Sequence, residues 1–443
     1  MHPVITGAIL AIRANPEHMA ALKAHGIEPI DLVVVNLYEF EKVAARPNAP
    51  LHELIENIDI GGPTMIRSAA KNYQDVAIVT SPADYAAIAD ELATGGGQLS
   101  PATHWQLAQK AFAATAAYDR AISDCLSNLG TKPSPLPTSL DIRAPKRFDL
   151  RYGENPHQSA ALYSIGTQGV AACEQLHGKE LSYNNLVDLD AAWELVQEFE
   201  HPAVAIIKHT NPSGCAEQAT LADSYRMALA CDPVSAYGSV IGMNRTVDEE
   251  TARDAAKLFV EAIAAPDYSP EALAILSAKK NIRLVKIHSG APGLVVKSIS
   301  GGYLAQTVDS HRLAPNSAVV KTLRAPTEAE WTDLEFAWKV CKHVKSNAIV
   351  YARAGQTIGV GAGQMSRVDS VRIGASKAVL PLQGSVVGSD AFFPFPDGLE
   401  EAVRNGATAV IQPGGSVNDP DVIAAADRLG VAMVFAGVRH FRH

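Results

Sequence analysis

The feature that most constrains this chain is a short apolar segment, AVAIIKHTNPSG (203–214), in which a lysine and a histidine follow the apolar residues. The apolar run predicts a buried strand of a parallel sheet, and the Asn-Pro-Ser-Gly sequence after it predicts a turn. Lys208 and His209 are then expected beyond the carboxyl edge of a strand, where open α/β sheets bind ligands. A lysine can hold an anion, and a histidine can carry a proton near neutral pH. The alternative is a strand that ends in solvent with two ordinary surface residues.

Length and composition limit the class of protein. A chain of 443 residues predicts two or three domains, and 47% hydrophobic with 19% charged residues is typical of a globular protein. The net charge of −9 argues against a nucleic-acid partner. Five scattered cysteines predict neither a zinc nor a redox site and fit a reducing cytoplasm. We expect a cytoplasmic location, because the N-terminus has no basic leader and no segment is long and apolar enough to span a membrane.

A proline-rich segment predicts the main domain boundary. Three prolines fall within 133–137, and the surrounding residues have neither helical nor strand periodicity. We therefore expect a linker over 131–148 that separates a first domain, 1–130, from a second, 149–443.

Both domains are predicted to be α/β. In the first, a strand over 31–40 and a strand, Ser81 cap and helix over 74–92 amount to half of a doubly wound sheet. In the second, the pattern of strand, turn and helix recurs, with a split near residue 325. Its predicted elements are a helix over 216–230, a strand within 232–245, a helix and two strands within 336–367, and a strand, helix and strand from 407 to 437.

Known nucleotide motifs do not account for this chain. There is no GxxxxGK[ST] sequence, GVGAGQ (359–364) lacks the third glycine of a dinucleotide site, and the cysteines do not form the PCxxC of zinc deaminases. SDAFFPFPDG (389–398) is too apolar for an ordinary loop. It is expected either to line a pocket for a flat heterocycle or only to pack inside. Polar residues remain at predicted strand ends: Arg151, Tyr152, Lys208, His209, Asn347, Arg367, Arg439 and His443.

Eight motifs together carry a resemblance that runs from His2 to His443. The chain resembles the bifunctional family that joins AICAR transformylase to IMP cyclohydrolase. The motifs occur in the same order: RYGENPHQ, GKELSYNN, IIKHTNPSG, DPVSAYGS, SNAIVYA, IGVGAGQMSR, SDAFFPFPDG and RHFRH.

The resemblance implies a reaction and a fold. The transformylase moves a formyl group from the cosubstrate 10-formyltetrahydrofolate to the 5-amino group of AICAR, and the cyclohydrolase closes the product to IMP. It implies a methylglyoxal-synthase-like parallel α/β domain followed by two cytidine-deaminase-like subdomains, about 149–325 and 326–443. It also implies a homodimer with shared transformylase sites, no zinc, and a site for a monovalent cation.

Roles carried over by motif concentrate on three residues. His209 is the expected proton acceptor, Lys208 stabilises the transition state, and Asn347 forms a hydrogen bond at the reacting centre. This agrees with the chemistry, because a poorly nucleophilic amine needs a base, and the tetrahedral oxyanion needs a cation. The resemblance assigns the nucleotide to Arg151, Tyr152, Gly238, Glu261, Ser416 and Arg439. It assigns the folate, or the junction between the two ligands, to Arg367, Val368, Phe392 and Asp397.

The cyclohydrolase motifs are NLYEF with Asn36 and Tyr38, IDIGG with Asp59, and SAAKN with Lys71. In the family, the first strands and phosphate-binding loops precede the His-Pro pair, whereas Met1 precedes it here. The resemblance thus implies an incomplete first domain and impaired IMP formation. Two alternatives stay open: a non-catalytic nucleotide-binding homologue, and a fragment with neither activity.

Overall fold

The structure is a computed structural model that describes residues 2–129, 134–290, 293–313 and 317–443. Contacts divide the chain into two compact units, Met1–Pro135 and Leu136–His443. Residues 131–133 of the expected linker lie outside the described residues. Its last residues, from Lys146 onward, are the beginning of a strand rather than part of the linker.

The first unit contains a pair of short parallel strands and seven α-helices in its described residues. In chain order its elements are α1 (Pro3–Leu10), α2 (Pro16–Ala24), β1 (Leu32–Val34), α3 (Phe40–Ala44), α4 (Leu51–Glu56), α5 (Gly61–Lys71), β2 (Ala77–Val79), a 3₁₀ helix (Pro82–Asp84), α6 (Tyr85–Thr94) and α7 (Pro101–Asn128). β1 and β2 pair in parallel, with Leu32 opposite Ala77. The predicted parallel pair is therefore present.

The strand predicted over 31–40 is wrong in its second half. β1 ends at Val34, and α3 begins at Phe40, whose ring is fully buried against Leu54 and Tyr118. An apolar run does not reveal by itself whether its residues are buried by a sheet or by helices. The predicted cap is confirmed, because the Ser81 side chain accepts a hydrogen bond from the backbone at the start of the 3₁₀ helix.

The second unit is a larger mixed α/β structure. It begins with β3 (Lys146–Leu150), β4 (Ala160–Tyr163), a 3₁₀ helix (Val170–Ala172) and β5 (Glu174–His177). Its first run of alternating elements is α8 (Tyr183–Val196), β6 (Ala203–Lys208), β7 (Asn211–Glu217), α9 (Leu221–Cys231), β8 (Ser239–Met243), α10 (Glu249–Ala255), β9 (Val260–Ala265), α11 (Pro270–Ser277) and β10 (Arg283–Lys286).

A connecting region and a second run complete this unit. The connection holds β11 (Leu294–Ile299), β12 (Gly302–Thr307) and β13 (Val319–Val320). The second run is α12 (Glu328–Cys341), β14 (Ile349–Arg353), β15 (Gln356–Gly361), α13 (Arg367–Lys377), β16 (Ser385–Ser389), α14 (Pro396–Arg404), β17 (Ala407–Gln412), α15 (Asp419–Leu429) and β18 (Ala432–Phe435).

The two runs form matching halves of one twelve-stranded mixed sheet. The strand order is β13-β18-β17-β16-β14-β15-β7-β6-β8-β9-β10-β5, so that β7 and β15 meet at the junction. The first helix of each half begins with a capping box and carries the same pattern, DLDAAW at 188–193 and DLEFAW at 333–338. The second unit therefore contains an internal structural repeat.

The direction predicted for the strand at 203–214 is wrong. β6 pairs antiparallel with both β7 and β8. The segment 211–214, predicted as a turn, is the beginning of strand β7, and the following helix begins at Leu221 instead of 216. The reversal itself is made by His209 and Thr210, which have φ of 52° and 61°. A continuous apolar run is typical of parallel strands because such strands are buried on both faces. β6 is also buried on both faces, although its pairing is antiparallel, so the run revealed its burial but not its direction.

The core lies on both faces of the large sheet. Alternate residues of β6 enter different clusters: Ala205 and Ile207 belong to the largest one, and Val204 and Ile206 to another. The largest cluster includes residues of α8 and α12, and thus spans both halves. The rings of Phe199 and Phe336, one from each half, lie 5.4 Å apart.

We predict that Gly214→Ala destabilises the second unit. A β-carbon at Gly214 would stand 1.9 Å from the carbonyl oxygen of Ala228, because β7 packs closely on α9. Overpacking of this kind costs about 1–3 kcal/mol. Thermal unfolding should show a lower midpoint for this variant than for Gly302→Ala, where no atom lies within 4 Å. Equal midpoints for the two variants would contradict the close packing.

Candidate active site

The expected transformylase residues of the first half lie at one edge of the large sheet. Lys208 ends β6, and the antiparallel register with β8 places it beside the loop that contains Gly238. β8 and β9 are parallel, with Ser239 opposite Val260, so that Glu261 lies at the same edge. This edge is formed by the end of β6 but by the beginnings of β8 and β9.

The second half contributes its loops to the same edge. β14 begins just after Asn347, and Ile349 pairs with Gly361 and Ser389, the last residues of the neighbouring strands. β17 and β18 run parallel to β16, so that the loops after them reach this edge too. Arg367, Phe392, Asp397, Ser416 and Arg439 all follow these strand ends.

The tight turn after β6 presents Lys208 and His209. The Lys208 Nζ donates to the carbonyl oxygen of Tyr237 at 2.8 Å, which joins the turn to the loop before β8. His209 is exposed, and its carbonyl oxygen accepts hydrogen bonds from the side chains of Thr210 and Asn211. An ammonium group has three N–H donors, so Lys208 has donors for a further acceptor.

Asp188 of α8 holds this turn from behind. Its Oδ1 accepts the backbone N–H of Thr210 at 2.7 Å. Burial raises the pKa of the Asp188 carboxyl, while the Thr210 hydrogen bond and the His209 charge act in the opposite direction. Asp188 was missed by the sequence prediction, since nothing in the DLDAAW pattern indicates contact with a loop more than 20 residues away.

The Asn347 side chain has one defined orientation. Its Nδ2 donates to the carbonyl oxygens of Gln364 and Met365 at 3.0 and 3.1 Å. Its Oδ1 accepts a hydrogen bond from Arg367 at 2.9 Å. The amide is thus fixed on both sides, as a group that positions a reactant should be.

Arg367 is buried rather than presented to solvent. Its NH1 lies 2.6 Å from Asp390, which is fully buried, and also donates to the Ser389 hydroxyl. In this structure its guanidinium contacts protein groups, including Asn347, where the resemblance implied the folate. Asp390 was not among the predicted residues, although it stands inside the SDAFFPFPDG motif.

The His209 turn, the Asn347 loop and the C-terminal tail are joined by hydrogen bonds. The Lys345 backbone N–H donates to Asn211 Oδ1 at 3.0 Å. Ser346 exchanges two bonds with Arg442: its N–H donates to the Arg442 carbonyl at 3.0 Å, and its hydroxyl accepts the Arg442 N–H at 3.1 Å. The His440 N–H donates to the Asp390 carbonyl oxygen at 3.0 Å. Parts of the chain more than 200 residues apart in sequence therefore form one assembly.

Arg151, which is exposed, stacks on Tyr152, which is half-buried. The guanidinium carbon of Arg151 lies 4.6 Å from the centre of the Tyr152 ring, and NH2 donates to the phenol oxygen at 2.8 Å. Asn184 in the first turn of α8 donates to the carbonyl oxygen of Glu154 at 3.3 Å. The RYGENPHQ segment thus packs against the beginning of the helix that also supplies Asp188.

Other predicted ligand-binding residues have protein partners. The Glu261 carboxylate lies 2.6 Å from Arg283. Asp397 accepts the N–H of Gly398 in the first turn of α14, and Ser416 accepts the N–H of Asn418. Val368 is half-buried, and Gly238 adopts φ of 71°.

The SDAFFPFPDG segment has aromatic rings both in the core and at the surface, and its role in lining a pocket for a flat heterocycle stays a prediction. Phe393 is fully buried in the core of the second half. Phe392 is half-buried and Phe395 is 59% exposed. Packing therefore accounts for one aromatic ring, and two remain at the surface. Arg439 is exposed as well, with its guanidinium 4.2 Å from the centre of the Phe441 ring.

In the first unit, the structure brings two of the expected cyclohydrolase residues together. Asp59 Oδ1 accepts the N–H of Gly62 at 2.7 Å, and Oδ2 accepts the N–H of Tyr38 at 3.4 Å. Asn36 donates to the hydroxyl of Tyr85 at 2.9 Å. Lys71 is exposed at the opposite end of α5, about 15 Å along the helix from its beginning.

A surface cavity of about 470 Å³ lies beside Tyr38. It is lined by Leu37, Tyr38, Glu39, Lys42, Val43 and Asn57. Within the described ranges, no group of three or more metal-binding side chains is present, and no helix is long and apolar enough to cross a membrane.

The fold and the edge site define an α/β enzyme with a large mixed sheet, and comparison with known proteins defines its family. The family model described as AICARFT/IMPCHase bienzyme matches residues 69–377. The chain belongs to this family and is an enzyme of purine biosynthesis.

Three similar relatives are each described as bifunctional purine biosynthesis protein PurH. The protein from Rhodospirillum rubrum is 52% identical over 100% of this chain and 87% of its own length. Those from Parvibaculum lavamentivorans and Mesorhizobium japonicum are 54% identical, over all of this chain and 85% of their own. A solved structure described as "Crystal structure of ForH" aligns with 29% of this chain and 65% of that chain at 32% identity, but its TM-score of 0.26 carries no information on the fold.

We predict an acid-sensitive contact beside the Asn347 loop. Burial alone would raise the pKa of Glu198, but hydrogen bonds from His343 and Lys342 lower it to about 2. A depressed carboxyl pKa stabilises the fold above its unfolded value of 4.5, and this contribution is lost as pH falls toward 2. Between these pH values, thermal midpoints of Glu198→Gln should depend less on pH than those of the parent chain.

The same substitution should lower the midpoint at pH 7, because Lys342 is buried and loses its charged partner. Glu200→Gln, at an exposed position two residues away, is the control. Parallel pH profiles for Glu198→Gln and the parent chain would argue against the ion pair.

Proposed function

We propose that this chain transfers the formyl group of 10-formyltetrahydrofolate to the 5-amino group of AICAR at the edge site. The observation that carries the proposal is the joining of the Lys208–His209 turn to the Asn347 loop, through the 3.0 Å bond between Lys345 and Asn211. Family membership supports the same reaction. The two alternatives, a non-catalytic nucleotide-binding homologue and an inactive fragment, predict no formyl transfer.

The proposed mechanism assigns one task to each residue. His209 accepts a proton from the AICAR amine as the amine nitrogen attacks the formyl carbon. The bond between the formyl carbon and N10 of the folate then breaks, and N10 takes the proton from His209, so that tetrahydrofolate leaves. Lys208 stabilises the negative charge that develops on the formyl oxygen, with an N–H that Tyr237 does not occupy. Asn347 accepts a hydrogen bond from a reacting N–H with the second lone pair of its Oδ1. Its other hydrogen-bonding positions are filled by Gln364, Met365 and Arg367, which keep the amide in place.

We propose that ligands are bound by the residues around this centre. The exposed cations and aromatic rings suit an anionic nucleotide and a flat pterin ring. We assign Arg367 an indirect role on the folate side. The Arg367 guanidinium is bonded to Asp390 and Asn347, so it acts by holding Asn347 rather than by binding folate itself. The nucleotide is assigned to Arg151, Tyr152, Gly238, Glu261, Ser416 and Arg439, and the folate to Val368, Phe392 and Asp397.

For the first unit we propose the cyclohydrolase site. Tyr38 and Asp59 lie together, and the cavity beside Tyr38 can admit a small molecule. Asn36 and Lys71 remain predictions. Conversion of formyl-AICAR to IMP, followed with purified protein, tests this proposal against the impaired IMP formation expected from the sequence. A rate clearly above the uncatalysed background would support the site, and a rate equal to the background would support the expectation of impairment.

The finer architecture is also a proposal. The repeated order of elements supports two cytidine-deaminase-like subdomains, about 149–325 and 326–443. For residues 1–130 we propose the methylglyoxal-synthase-like fold, supported by the parallel pair β1–β2.

We further propose a cytoplasmic homodimer with shared transformylase sites, which light scattering after size-exclusion chromatography tests. Assays in potassium, sodium and a bulky organic cation test the expected monovalent cation.

We predict that His209→Asn reduces kcat for formyl transfer by about 10²–10⁴-fold, because the proton acceptor is lost. Asparagine tolerates the left-handed backbone that His209 adopts, so the turn should persist. Steady-state kinetics with AICAR and 10-formyltetrahydrofolate provide the measurement. AICAR binding, measured by calorimetry, should change little. A variant with full turnover would make His209 a structural residue.

We predict that Arg439→Lys raises the AICAR concentration for half-maximal rate and leaves the thermal midpoint unchanged. The guanidinium is exposed, so its replacement costs little stability, but a lysine cannot form two parallel hydrogen bonds to a phosphate or carboxamide. Arg428→Lys, at an exposed position on α15, is the control. Identical kinetic constants for Arg439→Lys and the parent would remove Arg439 from the proposed site.

A further inference from the structure

The turn that carries His209 has a counterpart in the other half of the sheet. In the first copy Lys208 pairs with Asn211, and His209 and Thr210 between them have φ of 52° and 61°. In the second copy the turn is formed by Ala354 and Gly355, with φ of 55° and 67°. The repeat therefore contains the same left-handed turn twice.

Each turn is bonded to an aspartate at the same place in its helix. Asp188, the sixth residue of α8, accepts the Thr210 N–H at 2.7 Å. Asp333, the sixth residue of α12, accepts the Gly355 N–H at 2.9 Å. Because the hydrogen bond from turn to aspartate occurs in both halves, we interpret it as a structural part of this type of turn.

The two turns differ in how much support they require. The second has glycine at one left-handed position, which costs little. The first has a β-branched threonine there, and such residues adopt positive φ only where the surroundings impose it. Asp188 is half-buried, so water competes weakly for its bond to Thr210.

We infer that Asp188 is a positioning residue for formyl transfer: its hydrogen bond to Thr210 fixes the left-handed turn and thereby the place of the His209 ring at the sheet edge. The inference rests on the proposed function. Asp188 acts through the backbone of the turn and touches no reacting atom. A displacement of about 1 Å in a catalytic group can reduce the rate 10²-fold.

Three variants distinguish a positioning role of Asp188 from a general effect on the stability of the fold. Asp188→Ala removes the acceptor, and Asp188→Asn keeps an oxygen that can accept the same N–H. Asp333→Ala removes the matching bond from the turn that carries no proposed catalytic residue. Each is measured for kcat, for the KM of AICAR, for thermal midpoint, and for amide hydrogen exchange of the peptide that covers the His209 turn, by mass spectrometry.

We expect Asp188→Ala to lower kcat by about tenfold or more while the KM of AICAR changes by less than about threefold, because the reacting geometry is affected and binding is not. Exchange in the His209 turn should become faster. Asp188→Asn should restore most of the rate and the protection. Asp333→Ala should lower the thermal midpoint without a change in kcat.

Parent-like kcat in Asp188→Ala would overturn the inference, and so would an equal loss of kcat in Asp333→Ala, which would indicate a general effect of stability. Failure of Asp188→Asn to restore the rate would show that the charge matters rather than the bond. If the parent chain and His209→Asn transfer formyl groups equally, the proposed function of His209 fails first, and the positioning role is overturned with it.

Discussion

The junction between β7 and β15 is the interaction on which the second unit depends. The ladder there pairs Ala216 with Gln356, and the Thr357 hydroxyl accepts the N–H of Cys215 at 2.9 Å and donates to its carbonyl oxygen at 3.2 Å. Because this pairing is antiparallel, the end of β6 and the beginning of β14 fall at the same edge. A parallel junction would separate His209 from Asn347 by the length of the strands.

The same junction explains why the two halves contribute different segments to the proposed site. The end of β6 lies at the site edge, whereas the end of β14 lies at the other edge, beside Ala216. The two left-handed turns therefore face different surfaces. One half contributes a turn with a lysine and a histidine, and the other contributes an amide and the loops after β16, β17 and β18. The two halves therefore have the same order of helices and strands but contribute different chemical groups to the edge of the sheet.

The amino-acid sequence predicts where strands lie along the chain better than it predicts their direction in the sheet. Apolar runs reveal which strands are buried, so the strands of the C-terminal half were predictable. They do not reveal direction, and the antiparallel pairing of β6 was therefore missed. Motif resemblance predicts Lys208, His209 and Asn347 as catalytic residues, and this assignment stays a prediction. It could not find Asp188, because the hydrogen bond from Thr210 depends on tertiary packing that no local pattern encodes.

The burial of Arg367 and its ion pair with Asp390 could not be predicted from the sequence either. An arginine after a glycine-rich strand suggests a cation available to a ligand, but this one is buried against Asp390. Buried charges persist only when paired, and removing one partner leaves the other in an apolar surrounding. The guanidinium of Arg367 also fixes Asn347 through Oδ1. A loss of activity on replacing Arg367 would therefore report the orientation of Asn347 as much as any contact with folate.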